Sequence, residues 1–255
     1  MKIKNIEIFH IQAGWRPWSF LKISTDQNIV GWSECTDTHD TRNGLEGVIK
    51  DFKTIVLNED PRNISKINWL LKARTRANPG SIVQKVIGAI DNALWDISGK
   101  YLETPVYNLL GGALRNKVPV YWSHCGTTRV RAHEHIKKLQ IKKLEDLTVF
   151  GEEIKKTGVK VIKTNIAIFD DKPIIYMPGN NKSFGGPELN SSNKILNDIE
   201  KWISKFKESL GPNINIALDL NFNFKQEGYI KIGKMLDKYK LAWLEIDTHN
   251  PKVLK

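Results

Sequence analysis

The sequence is poor in cysteine, because Cys35 and Cys125 are the only two among 255 residues. They lie far apart and form no C-x-x-C pair, which argues against a disulfide framework and against a cysteine-based zinc site. This scarcity is typical of a reducing compartment, and we therefore expect a cytoplasmic protein.

Long apolar runs are also missing. No stretch approaches the roughly 18 apolar residues that a membrane-spanning helix needs. In residues 1–7 polar and charged side chains are interspersed with apolar ones, where a signal peptide would have an apolar run. We expect neither a membrane span nor a membrane partner.

Acidic residues are fewer than basic ones: 28 Asp and Glu face 39 Lys and Arg, for a formal net charge of +11. Such an excess attracts nucleic acids or anionic substrates in some proteins. Here the basic residues are mostly lysines scattered over predicted helix faces, and no nucleic-acid-binding motif accompanies them. We interpret them as a solvated surface and expect no nucleic-acid partner, with anion or nucleic-acid binding as the alternative.

The first part of the chain predicts an α+β domain. Residues 2–9, 19–25 and 29–34 read as three strands of an antiparallel meander. Over residues 81–101, apolar side chains recur at spacings of three and four, which predicts a helix with one apolar face. The pair Gly111-Gly112 interrupts the pattern, and we place the domain boundary near residue 115.

From residue 118 onward, apolar and helical segments alternate, which predicts parallel strands in β-α-β units. The predicted strands are residues 118–122, 159–163, 214–219 and 241–245, and the predicted helices are residues 133–157, 194–210 and 229–239. A (β/α)8 barrel uses roughly 31 residues per unit. Residues 116–255 therefore predict about four units of a TIM-type barrel, with open sheet edges.

Three of these predicted strands end on an ionisable residue: Lys163, Asp219 and Glu245. Catalytic groups of (β/α)8 barrels lie at the carboxyl ends of the strands. One cation and two carboxylates there suit a divalent metal together with a carboxylate substrate. A purely structural ion cluster is the alternative.

Asn165, Asn221 and Asp247 each follow one of these positions by two residues. Side chains two apart on a strand share a face, so all three are candidates for the same pocket as ligands or substrate donors. The alternative for the two asparagines is capping of the strand exits. Asp247 also precedes the turn signal Asn250-Pro251.

Residues 89–100 and 105–112 resemble the signature at the junction of the two domains in the mandelate racemase and muconate lactonizing branch of the enolase superfamily. Three segments are similar to the acid-sugar dehydratases of that branch, the galactonate-dehydratase-like group: residues 163–165, 219–224 and 243–247. The resemblance covers essentially the whole chain.

This resemblance implies an α+β capping domain, residues 1–115, on a modified TIM barrel that binds Mg²⁺. Asp219 and Glu245 match the first two metal ligands, and Lys163 matches the basic position near the substrate carboxylate. Asn165 stands at the catalytic position where racemases carry a lysine base. The implied reaction removes the proton α to the carboxylate of a sugar acid and expels the β-hydroxyl, giving a 2-keto-3-deoxy acid. The family also implies a homo-oligomer.

The resemblance further places Arg16, Trp18 and His39 on capping-domain loops that meet the substrate, with plain loop packing as the alternative. The third metal ligand and the histidine base of the family match nothing in this chain. We therefore expect a C-terminally truncated chain that is inactive by itself. The alternatives are a non-catalytic fragment or pseudoenzyme that self-associates, and a racemase or epimerase of the same branch.

Overall fold

The computed structural model describes residues 1–14, 16–36, 41–178, 186, 188–248 and 250–254. The chain divides into two compact units, Met1–Lys117 and Val118–Lys255. Each unit has its own cluster of buried apolar side chains. No helix in the part of the chain that the structure describes is both long and apolar enough to cross a membrane.

The first unit contains an antiparallel meander, as predicted. Its strands are β1 (Ile3–Gln12), β2 (Pro17–Thr25) and β3 (Val30–Glu34), hydrogen-bonded in that order. Alternate residues of β2, such as Leu21 and Ile23, are fully buried. The sheet therefore presents one apolar face to the core of its unit.

The helices of the first unit are α1 (Arg42–Val56), α2 (Ile64–Arg74), α3 (Ser81–Tyr101) and α4 (Val106–Leu109). The longest, α3, has the predicted bounds, and its apolar face is buried. Gly31 of β3 lies so close to this helix that a Cβ atom there would stand 2.2 Å from the carbonyl oxygen of Ala93. The absence of a side chain at this position allows β3 to pack directly on α3.

The second unit contains parallel strands joined through helices, as predicted. In chain order its strands are β4 (Val161–Asn165), β5 (Ala167–Phe169), β6 (Pro173–Ile175), β7 (Asn215–Asp219) and β8 (Leu244–Glu245). β4, β7 and β8 form a parallel sheet in that order, and β5 and β6 form a separate antiparallel hairpin. The hairpin is an element that the sequence pattern did not predict.

The helices of the second unit are α5 (Thr127–Arg131), α6 (Asp146–Lys156), α7 (Asn193–Leu210) and α8 (Gln226–Leu236), with short 3-10 helices at Asp237–Tyr239 and Pro251–Leu254. At the start of α7, the Ser192 hydroxyl accepts a hydrogen bond from the backbone N–H of Ile195 at 3.2 Å. This is the N-cap contact that serine favours. Trp202 and Phe206 of α7 are fully buried in the core of the unit.

The first and fourth predicted strands of this unit are wrong in extent. Instead of a strand over residues 118–122, the structure has a single parallel bridge between Trp122 and Ile162. Val118 and Val120 are 70% and 78% exposed, so the burial that stabilises an apolar strand is lacking there. The predicted fourth strand, residues 241–245, is hydrogen-bonded as a strand only at Leu244–Glu245.

The helix predicted over residues 133–157 begins only at Asp146. Lys137 has a φ of 51°, a left-handed conformation that a helix does not accommodate. The Asp146 carboxylate accepts hydrogen bonds from the backbone N–H groups of Lys142 and Lys143 at 2.8 and 3.2 Å. These contacts hold the preceding segment as turns, which a spacing of apolar residues does not reveal.

Candidate metal and carboxylate site

The parallel sheet brings Lys163, Asp219 and Glu245 together, although β4 continues two residues past Lys163, the predicted end of its strand. In its register Asn165 pairs with Asp219, and Asp219 pairs with Glu245. Lys163 lies two residues before Asn165, on the same face of β4. Since parallel strands end at the same edge of the sheet, residues distant in sequence converge there.

Lys163 lies between the two carboxylates. Its Nζ is 2.7 Å from Oε1 of Glu245 and 3.2 Å from Oδ2 of Asp219. The side chains of Lys163 and Asp219 are 9% and 10% exposed, whereas that of Glu245 is 36% exposed. The cluster is thus closed on the side of the first two residues and reached by solvent at Glu245.

The charges of the cluster stabilise one another. Burial lowers the pKa of Lys163, but its hydrogen bonds and charge interactions with Glu245 and Asp219 outweigh this, so the pKa is raised overall. Burial raises the pKa of Glu245, but the hydrogen bonds from Lys163 and Trp243 outweigh it, so that pKa is lowered overall. Lys163 and Glu245 are therefore both charged near neutral pH.

The carboxyl group of Asp247 interacts with the charges of the same three residues. Its pKa is raised, first by burial and then by the negative charges of Asp219 and Glu245. The predicted convergence of Asp247 on this pocket agrees with this coupling. Among the described residues, however, no three His, Cys, Asp or Glu side chains are arranged to hold a metal ion.

Asn221 is directed at Asp219. Its backbone N–H and its side-chain Nδ2 both donate to Oδ1 of Asp219, at 3.0 and 2.8 Å. The hydroxyl of Tyr229 donates to the backbone carbonyl of Asn221 at 2.8 Å. Tyr229 lies on α8, and the sequence pattern gave it only as part of a predicted helix.

Asn165, at the carboxyl end of β4, is held by a separate set of bonds. Thr127 of α5 donates its hydroxyl to Oδ1 of Asn165 and accepts the Asn165 backbone N–H, both at 3.0 Å. The Trp202 indole donates to the Asn165 carbonyl at 3.0 Å. Asn165 is buried, and these contacts match the structural role that the sequence left open.

Two aromatic side chains next to the cluster were not predicted. The indole of Trp243 donates to Oε2 of Glu245 at 3.3 Å. The rings of Tyr121 and Trp243 meet edge to face, with centroids 5.1 Å apart, and Nζ of Lys163 lies 5.9 Å from the Tyr121 ring. Both aromatics come from apolar segments that were predicted as strands, where the sequence gives no sign of a role beyond packing.

The predicted capping-loop residues belong to the first unit, but Trp18 lies in β2, paired with Ile11 of β1, and not in a loop. The guanidinium carbon of Arg16 lies 5.7 Å from the centroid of the Trp18 ring, and Trp18 is 37% exposed. His39 lies outside the described residues. Contact of these three with a substrate stays a prediction.

The Lys163 cluster fits a cation with two protein ligands. The Lys163 ammonium already lies within hydrogen-bond distance of one oxygen from each of Asp219 and Glu245. Carboxylate oxygens are the ligands that Mg²⁺ prefers, and it commonly retains waters beside one or two of them. The donor set therefore suits Mg²⁺ through Asp219 and Glu245.

The comparison with protein families gives a match over residues 10–111 to the mandelate racemase / muconate lactonizing enzyme N-terminal domain. Among curated proteins, a D-galactonate dehydratase from Pectobacterium atrosepticum is 38% identical over 121 residues, which are 48% of this chain and 31% of that protein. A D-galactonate dehydratase from Variovorax paradoxus is also 38% identical, over 124 residues. The matched regions make up 31% of the length of each of these two curated proteins.

Solved structures match the chain along its whole length. A protein from Burkholderia xenovorans strain LB400, provisionally named an L-alanine-DL-glutamate epimerase, is 36% identical, with a TM-score of 0.92 over 100% of this chain and 64% of that one. A second structure under the same name, bound to magnesium and fumarate, is 38% identical with a TM-score of 0.91, over 99% of this chain and 63% of that one.

Proposed function

The chain belongs to the mandelate racemase and muconate lactonizing branch of the enolase superfamily, and we propose that it carries the metal- and carboxylate-binding groups of an acid-sugar dehydratase. The observation that carries this proposal is the contact of Lys163 with both Asp219 and Glu245 at the carboxyl edge of a parallel sheet. The similarity to two D-galactonate dehydratases supports an aldonate or aldarate as the substrate class.

In this proposal Asp219 and Glu245 hold Mg²⁺. When bound, the metal supplies positive charge that stabilises the negative charge developing on the substrate carboxylate as its α-proton leaves. Lys163 contributes a second positive charge, since its raised pKa keeps the ammonium protonated. Both effects act most strongly in a site with little water, which agrees with the burial of Lys163 and Asp219.

Asn165 favours dehydration over epimerisation. An epimerase that works by two bases needs a proton acceptor on each side of the substrate α-carbon. A carboxamide is not such a base, and here Asn165 Oδ1 is also engaged by the hydroxyl of Thr127. β4 therefore provides one cation, Lys163, and no second base at this position.

Epimerisation is the second candidate, because both solved structures described above are named as epimerases. The two reactions differ in their products. Dehydration gives a 2-keto-3-deoxy acid, whereas epimerisation inverts the α-carbon and leaves the hydroxyls in place. Both begin by removal of the α-proton, so both exchange that proton with D₂O when proton return is possible.

The test has a binding stage and a turnover stage. We expect the 255-residue chain to bind an aldonate or aldarate in the presence of Mg²⁺, as measured by calorimetry, and to show no turnover alone, since the cluster offers two protein ligands. A version extended by further strand–helix units is then assayed for keto-acid formation and for α-proton exchange by NMR. Exchange or inversion without keto acid would replace the dehydratase proposal by the epimerase; no acid binding with Mg²⁺ would refute both.

We also propose that residues 1–115 are a capping domain and that residues 116–255 are the first part of a barrel. Under this proposal Arg16, Trp18 and His39 determine which sugar acid is accepted. Replacing Arg16 by Met should weaken acid binding and leave Mg²⁺ binding unchanged. An equal loss of Mg²⁺ binding in that variant would point to misfolding and away from substrate contact.

A further inference from the structure

The two oxygens of the Asp219 carboxylate have different partners. Oδ1 accepts two hydrogen bonds from Asn221, from the backbone N–H at 3.0 Å and from Nδ2 at 2.8 Å. Oδ2 is the oxygen that lies 3.2 Å from Nζ of Lys163. Because Oδ1 is held by two donors, rotation of the carboxylate would break both bonds, and Oδ2 stays directed at the cation position.

The backbone of Asn221 is itself in an unusual conformation. Its φ is 51°, in the left-handed region, which asparagine tolerates better than most residues. The Asn221 carbonyl accepts the hydroxyl of Tyr229 at 2.8 Å. Tyr229 is 6% exposed, and its ring meets that of Phe224 edge to face, with centroids 5.9 Å apart. The hydroxyl is therefore held in place by packing.

We propose that Tyr229 is a positioning residue for the metal site: through Asn221 it fixes the orientation of Asp219 and thereby sets the affinity for a divalent cation. The inference depends on the proposed metal role of Asp219. Tyr229 acts through another residue and does not touch the cluster itself. Partners that orient metal ligands commonly change metal affinity by about 10- to 100-fold when they are removed.

The test measures cation affinity without any sugar acid. Tb³⁺ serves as a probe for a hard cation, and Trp243, hydrogen-bonded to Glu245, serves to sensitise its luminescence; affinity for Mg²⁺ follows from competition. In Tyr229→Phe the ring packing is kept and only the hydroxyl is lost. We expect this variant to bind Mg²⁺ roughly tenfold more weakly than the parent chain.

Two further variants make the test specific. Tyr239→Phe removes a hydroxyl in the 3-10 helix after α8, where it lies 3.4 Å from Glu200, and should leave the affinity unchanged. Asn221→Gly retains the left-handed backbone, for which glycine is suited, and removes the Nδ2 bond. It should weaken Mg²⁺ binding to a similar degree as Tyr229→Phe. Asp219→Asn should abolish the luminescent site, which assigns the signal to this cluster.

Equal Mg²⁺ affinity in Tyr229→Phe and the parent chain would overturn the proposal, even if the variant melted at a lower temperature. A loss in Asn221→Gly alone would overturn the role of Tyr229, and the lack of saturable Tb³⁺ binding by the parent chain would overturn the inference as a whole. A failure of the proposed function would give a different result. The parent chain and its variants would still bind the cation with the predicted order of affinities, but the parent chain would not bind the sugar acids.

Discussion

The ammonium of Lys163 lies 2.7 Å from Oε1 of Glu245, although 82 positions separate the two residues in the chain. The parallel register of β4, β7 and β8 creates this contact, because it places the carboxyl ends of the three strands at one edge. The cluster is therefore a product of the tertiary fold, and it should respond to substitutions in ways that isolated surface ion pairs do not.

Lys163→Met should lower the free energy of unfolding by about 1–3 kcal/mol. The methionine keeps most of the apolar stem and leaves Asp219 and Glu245 facing each other without a counter-charge. Breaking a buried pair costs roughly 3–5 kcal/mol, and the solvent access of Glu245 reduces that value. Urea denaturation measures the change.

Lys160→Met is the matched control for this substitution, since Lys160 is an exposed lysine just before β4. It should change the free energy of unfolding by less than about 0.5 kcal/mol. Equal effects of the two substitutions would show that the ionic cluster contributes nothing measurable to stability.

The same Lys163→Met variant should bind Mg²⁺ more tightly than the parent chain. Two positive charges about 4 Å apart repel by roughly 4 kcal/mol at an effective dielectric constant of 20. Relief of even a third of that repulsion raises affinity about tenfold. Calorimetric titration at low ionic strength measures it, and an unchanged or weaker affinity would mean that Lys163 does not compete with the cation.

Gly31→Ala should destabilise the first unit by about 1–3 kcal/mol or more. The new Cβ would meet the Ala93 carbonyl oxygen at 2.2 Å and Cγ1 of Ile97 at 2.7 Å, so β3 and α3 would have to move apart. Gly88→Ala, in α3, is the control, because nothing lies within 4 Å of its new Cβ. It should stabilise the chain by roughly 0.5–1 kcal/mol. Thermal melts of both variants test this difference in sign.

The two cysteines should report the unfolding of the two units separately. Cys35, in the first unit, is 2% exposed, and Cys125, in the second, is 0% exposed. Thiol labelling of the Cys35→Ser variant reports on Cys125 alone, and thiol labelling of the Cys125→Ser variant reports on Cys35 alone. We expect each thiol to react at least about 100-fold more slowly in the native chain than in urea-unfolded chain. Fast labelling without urea would contradict the burial of that unit's core.

The reaction of Cys125 also has a predicted pH dependence. Burial raises the pKa of its thiol far above the usual range, with smaller effects from Arg129 and Glu153. Labelling needs the thiolate. Raising the pH to about 9 should therefore increase the labelling rate of Cys125 in the unfolded chain and leave its labelling in the native chain slow. In the unfolded chain the thiol ionises near pH 8.5, whereas burial keeps it protonated in the native chain. The free energy of unfolding should therefore decrease as the pH rises above about 8.5.

The sequence predicted the elements that are governed by a simple repeat of apolar residues. The bounds of α3 were obtained because its buried face follows the helical period without interruption. The convergence of Lys163, Asp219 and Glu245 followed from their place at the ends of predicted strands, since parallel strands share an edge; only Lys163 lies short of its strand's end, because β4 continues to Asn165. These features depend on local pattern and on a general rule of topology.

Features that depend on particular tertiary contacts were not predictable in this way. Tyr229 occupies an ordinary apolar position of α8, and only the structure shows its hydroxyl on the carbonyl of Asn221. The late start of α6 depends on Asp146 accepting two backbone N–H groups. Asn165 could be read as catalytic or structural until its bonds to Thr127 were seen.

Calorimetric titration of D-galactonate onto the chain, with and without Mg²⁺, tests most directly whether the Lys163, Asp219 and Glu245 cluster is a metal and carboxylate site. We predict saturable binding of the acid that requires Mg²⁺ and is lost in Asp219→Asn and Glu245→Gln, while Tyr239→Phe behaves like the parent chain. Acid binding that is independent of Mg²⁺, or that survives in Asp219→Asn, would contradict the account.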